Sequence, residues 1–148
     1  MTNVDGATLP RWLLPAAGLL ALAALLAAAC GGGDGAHEVT VKMMAQLTFQ
    51  PAEIKLESGR PVRLTVDNGG STSVHTLTVA EMPVTDVHSS GGVGGYGDAG
   101  TEYDLHIALD AGGAGTLDFT PTQSGEYVFI CILPGHAQAG MTGKLIVV

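Results

Sequence analysis

The sequence has few cysteines, few charged residues and little basic character. Only two of its 148 residues are cysteine, Cys30 and Cys131. Charged residues make up 14% of the chain, and lysine and arginine number 6 against 14 aspartates and glutamates, which gives a formal net charge of −8. An acidic chain repels nucleic-acid phosphates, so the composition argues against nucleic-acid binding. It favours basic protein partners or simply keeps the protein soluble.

A helical period is also missing after residue 37. Apolar residues recur instead at every second position in short runs, as at residues 62–66 and 117–119, and Gly, Ser, Asn and Pro turns separate the runs. Tyr127 is placed to bond upstream backbone at a corner typical of β-sandwiches. The pattern predicts an all-β, antiparallel, Greek-key two-sheet β-sandwich of about eight strands. The predicted strands are residues 38–44, 53–57, 62–67, 74–80, 103–109, 115–120, 126–131 and 143–148.

The N-terminal segment, residues 1–29, is predicted to be a signal peptide or a membrane anchor. It ends in an uncharged apolar run and small residues, and Cys30 and a Gly-rich stretch follow. This arrangement resembles a bacterial lipoprotein signal, in which the peptide is cut before a cysteine that is then lipidated. An uncleaved anchor helix is the alternative. Both interpretations predict export, with residues 30–36 as a tether and residues 37–148 as a domain held at the outer face of the cytoplasmic membrane, on the periplasmic or extracellular side.

Residue types that bind metals cluster in one C-terminal segment, CILPGHAQAGM. Its thiol, imidazole and thioether belong to Cys131, His136 and Met141, each five residues from the next. An α-helix turns every 3.6 residues, so this spacing brings the side chains together only in a folded-back loop. Thiolate and imidazole with a weak axial methionine favour copper. A buried structural cysteine is the alternative for Cys131, but the neighbouring His136 and Met141 favour the metal site.

A fourth ligand is expected from another strand, and His75 is the favoured histidine. It begins a strand-like run directly after a Gly/Ser-rich turn, so a sheet would hold it. His37 abuts the tether, and His106 alternates with apolar neighbours as structural residues do. His88 belongs to the glycine-rich segment 88–100, which is expected to be a mobile loop. This loop is either a flap that contacts a partner or an idle insertion.

The C-terminal stretch CILPGHAQAGMTGKLIVV resembles the copper loop and last strand of the cupredoxins. It is most similar to the azurin-like and auracyanin-like small blue copper proteins, which share Cys-x-x-Pro-Gly-His before the axial Met. Residues 49–68 resemble the family's early strands, VHTL resembles the segment with its first histidine, and the resemblance covers roughly residues 38–148. It implies one mononuclear type 1 copper with a trigonal set and a weak axial ligand. These ligands are His75, Cys131 and His136, with Met141 axial.

The resemblance also implies that the protein is an electron carrier. His75 is expected to be the buried ligand and His136 the exposed one, with an apolar collar around it that docks a redox partner. Such a partner would be a c-type cytochrome or a respiratory or photosynthetic membrane complex. Many members have an asparagine after the first histidine that ties the ligand loops together, and the hydroxyl of Thr76 is its candidate substitute here. The predicted docking collar consists of Ile132, Leu133, Pro134, Ala137 and Ala139.

Two other copper functions compete with electron transfer. Copper enzymes built on this sandwich add histidine clusters and domains, and one domain with five histidines does not offer them, so no enzyme activity is expected. The alternative is a copper carrier or chaperone that delivers Cu(I) to a membrane oxidase, with Met43, Met44 and Met82 as further thioethers. Because Met43 and Met44 are adjacent, they face opposite sides of a strand, and at least one is expected in the core.

Overall fold

The computed structural model describes residues 35–97 and 99–148, which form ten β-strands and no helix. The predicted leader and Cys30 lie outside the described residues. Within those described, no helix is long and apolar enough to cross a membrane. The strands are β1 (His37–Met44), β2 (Thr48–Gln50), β3 (Glu53–Leu56), β4 (Val62–Asp67), β5 (His75–Val79), β6 (Val84–Ser90), β7 (Leu105–Leu109), β8 (Ala114–Pro121), β9 (Gly125–Ile130) and β10 (Thr142–Val147).

The strands form two five-stranded sheets, which confirms the predicted β-sandwich. The order is β2-β1-β4-β8-β6 in sheet one and β3-β10-β9-β5-β7 in sheet two. The expectation of purely antiparallel pairing was wrong for two pairs, because β1 pairs with β4 and β3 with β10 in parallel. The chain leaves sheet one after β2, adds β3 to sheet two and returns as β4. These crossings between sheets allow parallel neighbours, which a short hairpin cannot join.

All eight predicted strands are present, and the structure adds β2 and β6. Strand β2 is too short to show alternation, and β6 is an edge strand with mostly exposed residues. The pairing of β6 shifts at a bulge between Thr85 and His88, and Asp86 there has φ +56°; such bulges are common at sheet edges. The assignment of His88 to a mobile loop was therefore wrong. It lies in β6, opposite Asp118 of β8.

One hydrophobic cluster draws on both sheets and forms the core. Strands β5 and β7 are buried along their whole length. Met43 and Met82 belong to the cluster with 0% and 2% exposure, so packing accounts for both, while Met44 is partly exposed. The predicted corner is also present, since the Tyr127 hydroxyl donates to the carbonyl of Gln123 at 3.1 Å.

The described part of the glycine-rich segment covers the outer edge of sheet two. Strand β7 is the last strand of that sheet, and the Val93 N–H donates to the Ala108 carbonyl at 2.8 Å. A Cβ on Gly92 would lie only 3.1 Å from Ile107 Cγ1, so glycine permits this close approach. Covering an edge strand with a loop prevents it from pairing with another chain. This contact gives the segment a structural role.

Candidate metal centre

The candidate ligands meet at one end of sheet two. His75 is the first residue of β5, Cys131 follows the last residue of β9, and Met141 precedes the first residue of β10. Strand β9 lies between β5 and β10 and is antiparallel to both. This arrangement sets the beginnings of β5 and β10 beside the end of β9. The sheet thus brings together residues that are far apart in sequence.

The ligand loop, residues 131–141, is a folded-back loop, as its ligand spacing predicts. The Cys131 N–H donates to the Met141 carbonyl at 3.1 Å, and the Met141 N–H donates to the His136 carbonyl at 3.0 Å. Gly135 and Gly140 have φ of +84° and +106°, a region that residues with a Cβ seldom adopt. The loop is closed at its base, and a backbone hydrogen bond ties His136 to Met141.

Three donor atoms converge inside this loop. Nδ1 of His75 lies 3.2 Å from Nδ1 of His136, and Sγ of Cys131 lies 3.3 Å from the same His136 atom. His75, Cys131 and His136 each offer one ligand atom, and these atoms all lie within 4.8 Å of one another. Cys131 is 0% exposed and His75 1% exposed, whereas His136 is partly exposed. A cysteine sulfur and two imidazoles facing one another form a donor set that suits copper.

The other histidines, Met141 and the oxidation state of Cys131 have separate outcomes. His37, His88 and His106 do not join the cluster. The side chain of Met141 is fully buried and its backbone closes the loop, while its role as axial ligand stays a prediction. Cys131, the one cysteine in the described ranges, is not in a disulfide.

Burial favours the protonation state of His75 that can bind a metal. Removal from water lowers the pKa of its imidazole below the usual value, and charge on His136 lowers that pKa further. A neutral imidazole is the form that coordinates a metal. Among the residues described, none hydrogen-bonds to the buried Nε2 of His75. Its place at the start of a fully buried strand therefore orients the ring by packing.

Thr76 ties the two ligand segments together. Its backbone N–H donates to Cys131 Sγ at 3.4 Å, and its hydroxyl donates to the same sulfur at 3.7 Å. The hydroxyl also accepts the N–H of Ile132 at 2.9 Å. These contacts join the segment of His75 to that of Cys131. This is the role expected of the Thr76 hydroxyl in place of the asparagine that many cupredoxins have. Hydrogen bonds to a ligand sulfur orient it and tune the metal.

Asn68 supports the turn that precedes His75, a role that sequence reasoning missed. The side chain is 0% exposed, and its Nδ2 donates to the carbonyls of Ser73, Leu109 and Asp110 at 2.8, 3.1 and 2.8 Å. It links the β4–β5 turn to the end of β7. In sequence it is part of an Asp-Asn-Gly-Gly turn, where asparagine is ordinary, so no sequence signal distinguishes it.

Replacing Asn68 with alanine is expected to destabilise the metal-free protein by about 1–3 kcal/mol, because the carbonyls of Ser73, Leu109 and Asp110 lose the buried amide that donates to them. Asn68→Asp is expected to cost more, since it sets a carboxylate oxygen against those carbonyls. Urea unfolding of both variants measures the effect. Equal stability of the aspartate and wild-type proteins would contradict the donor role.

The predicted docking collar surrounds His136 within the ligand loop. Pro134 and Ala139 are exposed, and Ile132, Leu133 and Ala137 are partly exposed. Leu133 also packs against the core cluster. None of the residues from 131 to 142 is an aspartate, glutamate, lysine or arginine. The surface that this segment offers beside His136 therefore lacks acidic and basic residues, while its use as a docking site stays a prediction.

Comparisons with known proteins find relatives of this chain in sequence and in fold. The chain is 30% identical over 130 residues to the copper-resistant cuproprotein CopI of Rubrivivax gelatinosus, covering 78% of this chain and 70% of that protein. It is 27% identical over 151 residues to auracyanin-A of Chloroflexus aurantiacus, covering 87% and 93%. The dithionite-reduced auracyanin of Roseiflexus castenholzii has a TM-score of 0.59 at 21% identity, over 77% of this chain and 99% of that chain.

The sequence also matches a protein-family model. The model of the cupredoxin-like domain matches residues 16–147, which is most of the chain. The structure has the two-sheet sandwich, and a Cys–His–Met loop at one sheet end faces a histidine from a neighbouring strand. The chain belongs to the family of cupredoxin-like domains.

Proposed function

We propose that this protein is a type 1 copper electron carrier that exchanges single electrons between exported or membrane-bound redox partners. The observation that carries the proposal is that His75, Cys131 and His136 each offer one ligand atom and that these atoms all lie within 4.8 Å of one another. Copper bound by these atoms would supply a one-electron Cu(II)/Cu(I) couple. Two relatives, a copper-resistant cuproprotein and an auracyanin, support copper as the metal.

Each ligand has a separate task in this proposal. Cys131 is buried and binds as the thiolate, with two hydrogen bonds from Thr76 to its sulfur. His75 is held by β5, and its burial lowers the pKa of the imidazole, which favours the neutral form that can bind a metal. His136 is the most exposed of the three, so its ring edge is where a partner approaches the site. Met141, buried at the end of the loop, would hold the metal weakly through its thioether. The proposed function is electron transfer and not an enzymatic reaction.

Addition of Cu(II) to the metal-free protein tests the proposal directly. We expect an intense blue absorption from the thiolate bond, and an electron-spin-resonance spectrum of a single mononuclear centre. Reduction should bleach the colour and reoxidation restore it, without release of metal. A pale, tetragonal Cu(II) spectrum, or loss of metal on each cycle, would contradict an electron carrier.

The collar around His136 yields a prediction about docking. Leu133→Asp is expected to slow electron exchange with a redox partner by about tenfold, equal to about 1.4 kcal/mol, because docking must desolvate the new carboxylate. The blue absorption should change little, since Leu133 carries no ligand atom. Stopped-flow electron transfer and the visible spectrum measure the two effects.

Val148→Asp is the matched control for that experiment. Val148 is 71% exposed and follows the end of β10 farthest from the ligand loop, so the variant adds the same charge elsewhere. It should exchange electrons at the wild-type rate. Equal rates for both variants would remove the docking role of the collar. The partner itself is proposed to be a c-type cytochrome or a respiratory or photosynthetic membrane complex, held by a small and transient contact.

We further propose that the domain is exported and tethered at the outer face of the cytoplasmic membrane through Cys30. The support is the apolar leader that ends in small residues before this cysteine. Cys30→Ser is expected to abolish the lipid mass increment and release the protein from washed membranes. Retention of the variant in those membranes would favour the uncleaved anchor helix.

Copper delivery is the second candidate function. The match to a copper-resistant cuproprotein favours it, while the burial of Met43 and Met82 in the core removes two thioethers from any exposed transfer site. Transfer of Cu(I) to a competing copper protein decides between the two functions. Fast metal transfer with slow electron exchange would support delivery, and the reverse would support the electron carrier.

A further inference from the structure

A buried chain of hydrogen bonds leads from Cys131 across β5 to β7, the edge strand of sheet two. The Thr76 hydroxyl lies 3.7 Å from Cys131 Sγ, the Thr78 hydroxyl lies 3.4 Å from that of Thr76, and Nδ1 of His106 lies 2.8 Å from the Thr78 hydroxyl. The four side chains belong to residues that are between 0% and 4% exposed. We call this chain, formed by His106, Thr78 and Thr76, the relay.

The sheet register builds the relay. Thr76 and Thr78 are two residues apart on β5, so their side chains point to the same face. His106 on β7 is the direct partner of Thr78 in the antiparallel pairing. The ring of Tyr103 lies beside that of His106, with centroids 5.3 Å apart and planes tilted by 31°. The position of His106 is therefore fixed by backbone pairing and by an aromatic neighbour.

The number of available protons determines which groups donate and which accept along the relay. A hydroxyl has a single proton to donate, and the Thr76 oxygen already accepts the N–H of Ile132. If Thr76 donates to the sulfur and Thr78 donates to Thr76, then His106 Nδ1–H must donate to Thr78. The opposite direction would turn the Thr76 proton away from the sulfur. A metal-bound thiolate is anionic and attracts donors, so it selects the direction toward Cys131.

We propose that Thr78 and His106 are positioning residues that hold the Thr76 hydroxyl as a donor to the metal-bound sulfur and thereby raise the reduction potential. The inference rests on the proposed copper site. A hydrogen bond to the thiolate reduces its electron donation to the metal, which disfavours the oxidised form and favours the reduced one. Neither residue touches the metal; both act through Thr76.

Three variants of the full-length protein in detergent test the relay. Thr78→Val keeps the branched shape and removes the hydroxyl, Thr78→Ser keeps the hydroxyl, and His106→Phe keeps a ring without the donor. Redox titration of the copper-loaded proteins should show that Thr78→Val lowers the potential. The expected shift in the Cu(II)/Cu(I) ratio is about twofold to tenfold, and tenfold equals about 59 mV for one electron. Thr78→Ser keeps the hydroxyl, so its reduction potential should lie close to the wild-type value.

A double variant and a matched control separate positioning from general disturbance. Because either substitution breaks the same relay, Thr78→Val with His106→Phe should shift the potential no more than the larger single shift. Thr65→Val removes a hydroxyl from β4 in the other sheet and should leave the potential unchanged. Additive shifts, or an unchanged potential in Thr78→Val with the blue spectrum intact, would overturn the relay.

Nuclear magnetic resonance of the zinc-loaded protein gives a measurement that is independent of redox activity. Zinc is diamagnetic and also binds thiolate and imidazole. The wild type should show a slowly exchanging Nδ1–H on His106, and Thr78→Val should lose that slow exchange. A proton carried only by Nε2 would overturn the proposed direction. If the wild type shows this Nδ1–H but is not blue with copper, the proposed function fails while the relay stands.

Discussion

Replacing Cys131 with alanine is expected to abolish the intense blue absorption of the copper-loaded protein. Cys131 supplies the one thiolate of the site, its sulfur lies 3.3 Å from His136 Nδ1, and the side chain is fully buried. Loss of this ligand should also weaken metal binding by more than the roughly 10- to 100-fold effect of losing an outer hydrogen-bonding partner. Visible absorption and competitive Cu(II) titration measure both effects.

Met82→Leu is the control for that substitution. It removes another buried sulfur, since Met82 is 2% exposed in the core, and it conserves volume. The colour should persist. A Cys131→Ala protein that stays blue, with circular dichroism of the folded form, would show that the ligand assignment is wrong.

The second large effect concerns stability. Phe129→Ala is expected to destabilise the metal-free protein by about 3–5 kcal/mol, the range for removing a fully buried aromatic ring. Phe129 is 0% exposed, and its ring meets that of Phe49 edge-on, with centroids 4.9 Å apart and planes at 73°. A Cβ on Gly143 would overlap the same ring, so the glycine leaves room for it. This contact therefore joins β9 both to β10 and to sheet one.

Val128→Ala provides the matched comparison on the same strand. Val128 is 53% exposed and points to the opposite face of β9, so its truncation should change the unfolding free energy by less than about 0.5 kcal/mol. Urea unfolding should be followed without metal, because a ligand bound to the native state adds its own stabilisation. Similar costs for the two substitutions would contradict the central position of Phe129.

The sequence allowed a good prediction of the fold where local rules decide it. Apolar residues between turns predicted eight strands, most of them by the alternation of a strand that buries one face, while β5 and β7 are buried on both faces. Strand β2 has only three residues, and β6 buries too little to alternate. The parallel pairs could not be predicted, because pairing partners are chosen by the packing of the whole sandwich and leave no local pattern.

Part of the candidate site could likewise be predicted from local sequence, and part could not. Cys131, His136 and Met141 stand out because a single loop carries them, and His75 was favoured because it begins a strand. Thr76 was identifiable through the family resemblance, but the link from Thr78 to His106 depends on the register of β5 against β7. Contacts that depend on register have no signature in a single sequence.

The hydrogen bond from Cys131 to the Met141 carbonyl has a consequence for how such a protein evolves. Because the loop is closed at its base, insertions or deletions between these residues are absorbed inside it, and the strands keep their pairing, as is usual for surface loops. Three of the four proposed ligands therefore lie in one loop, while His75 lies in the sheet. The length and composition of this loop can change during evolution while the strands on either side keep their pairing.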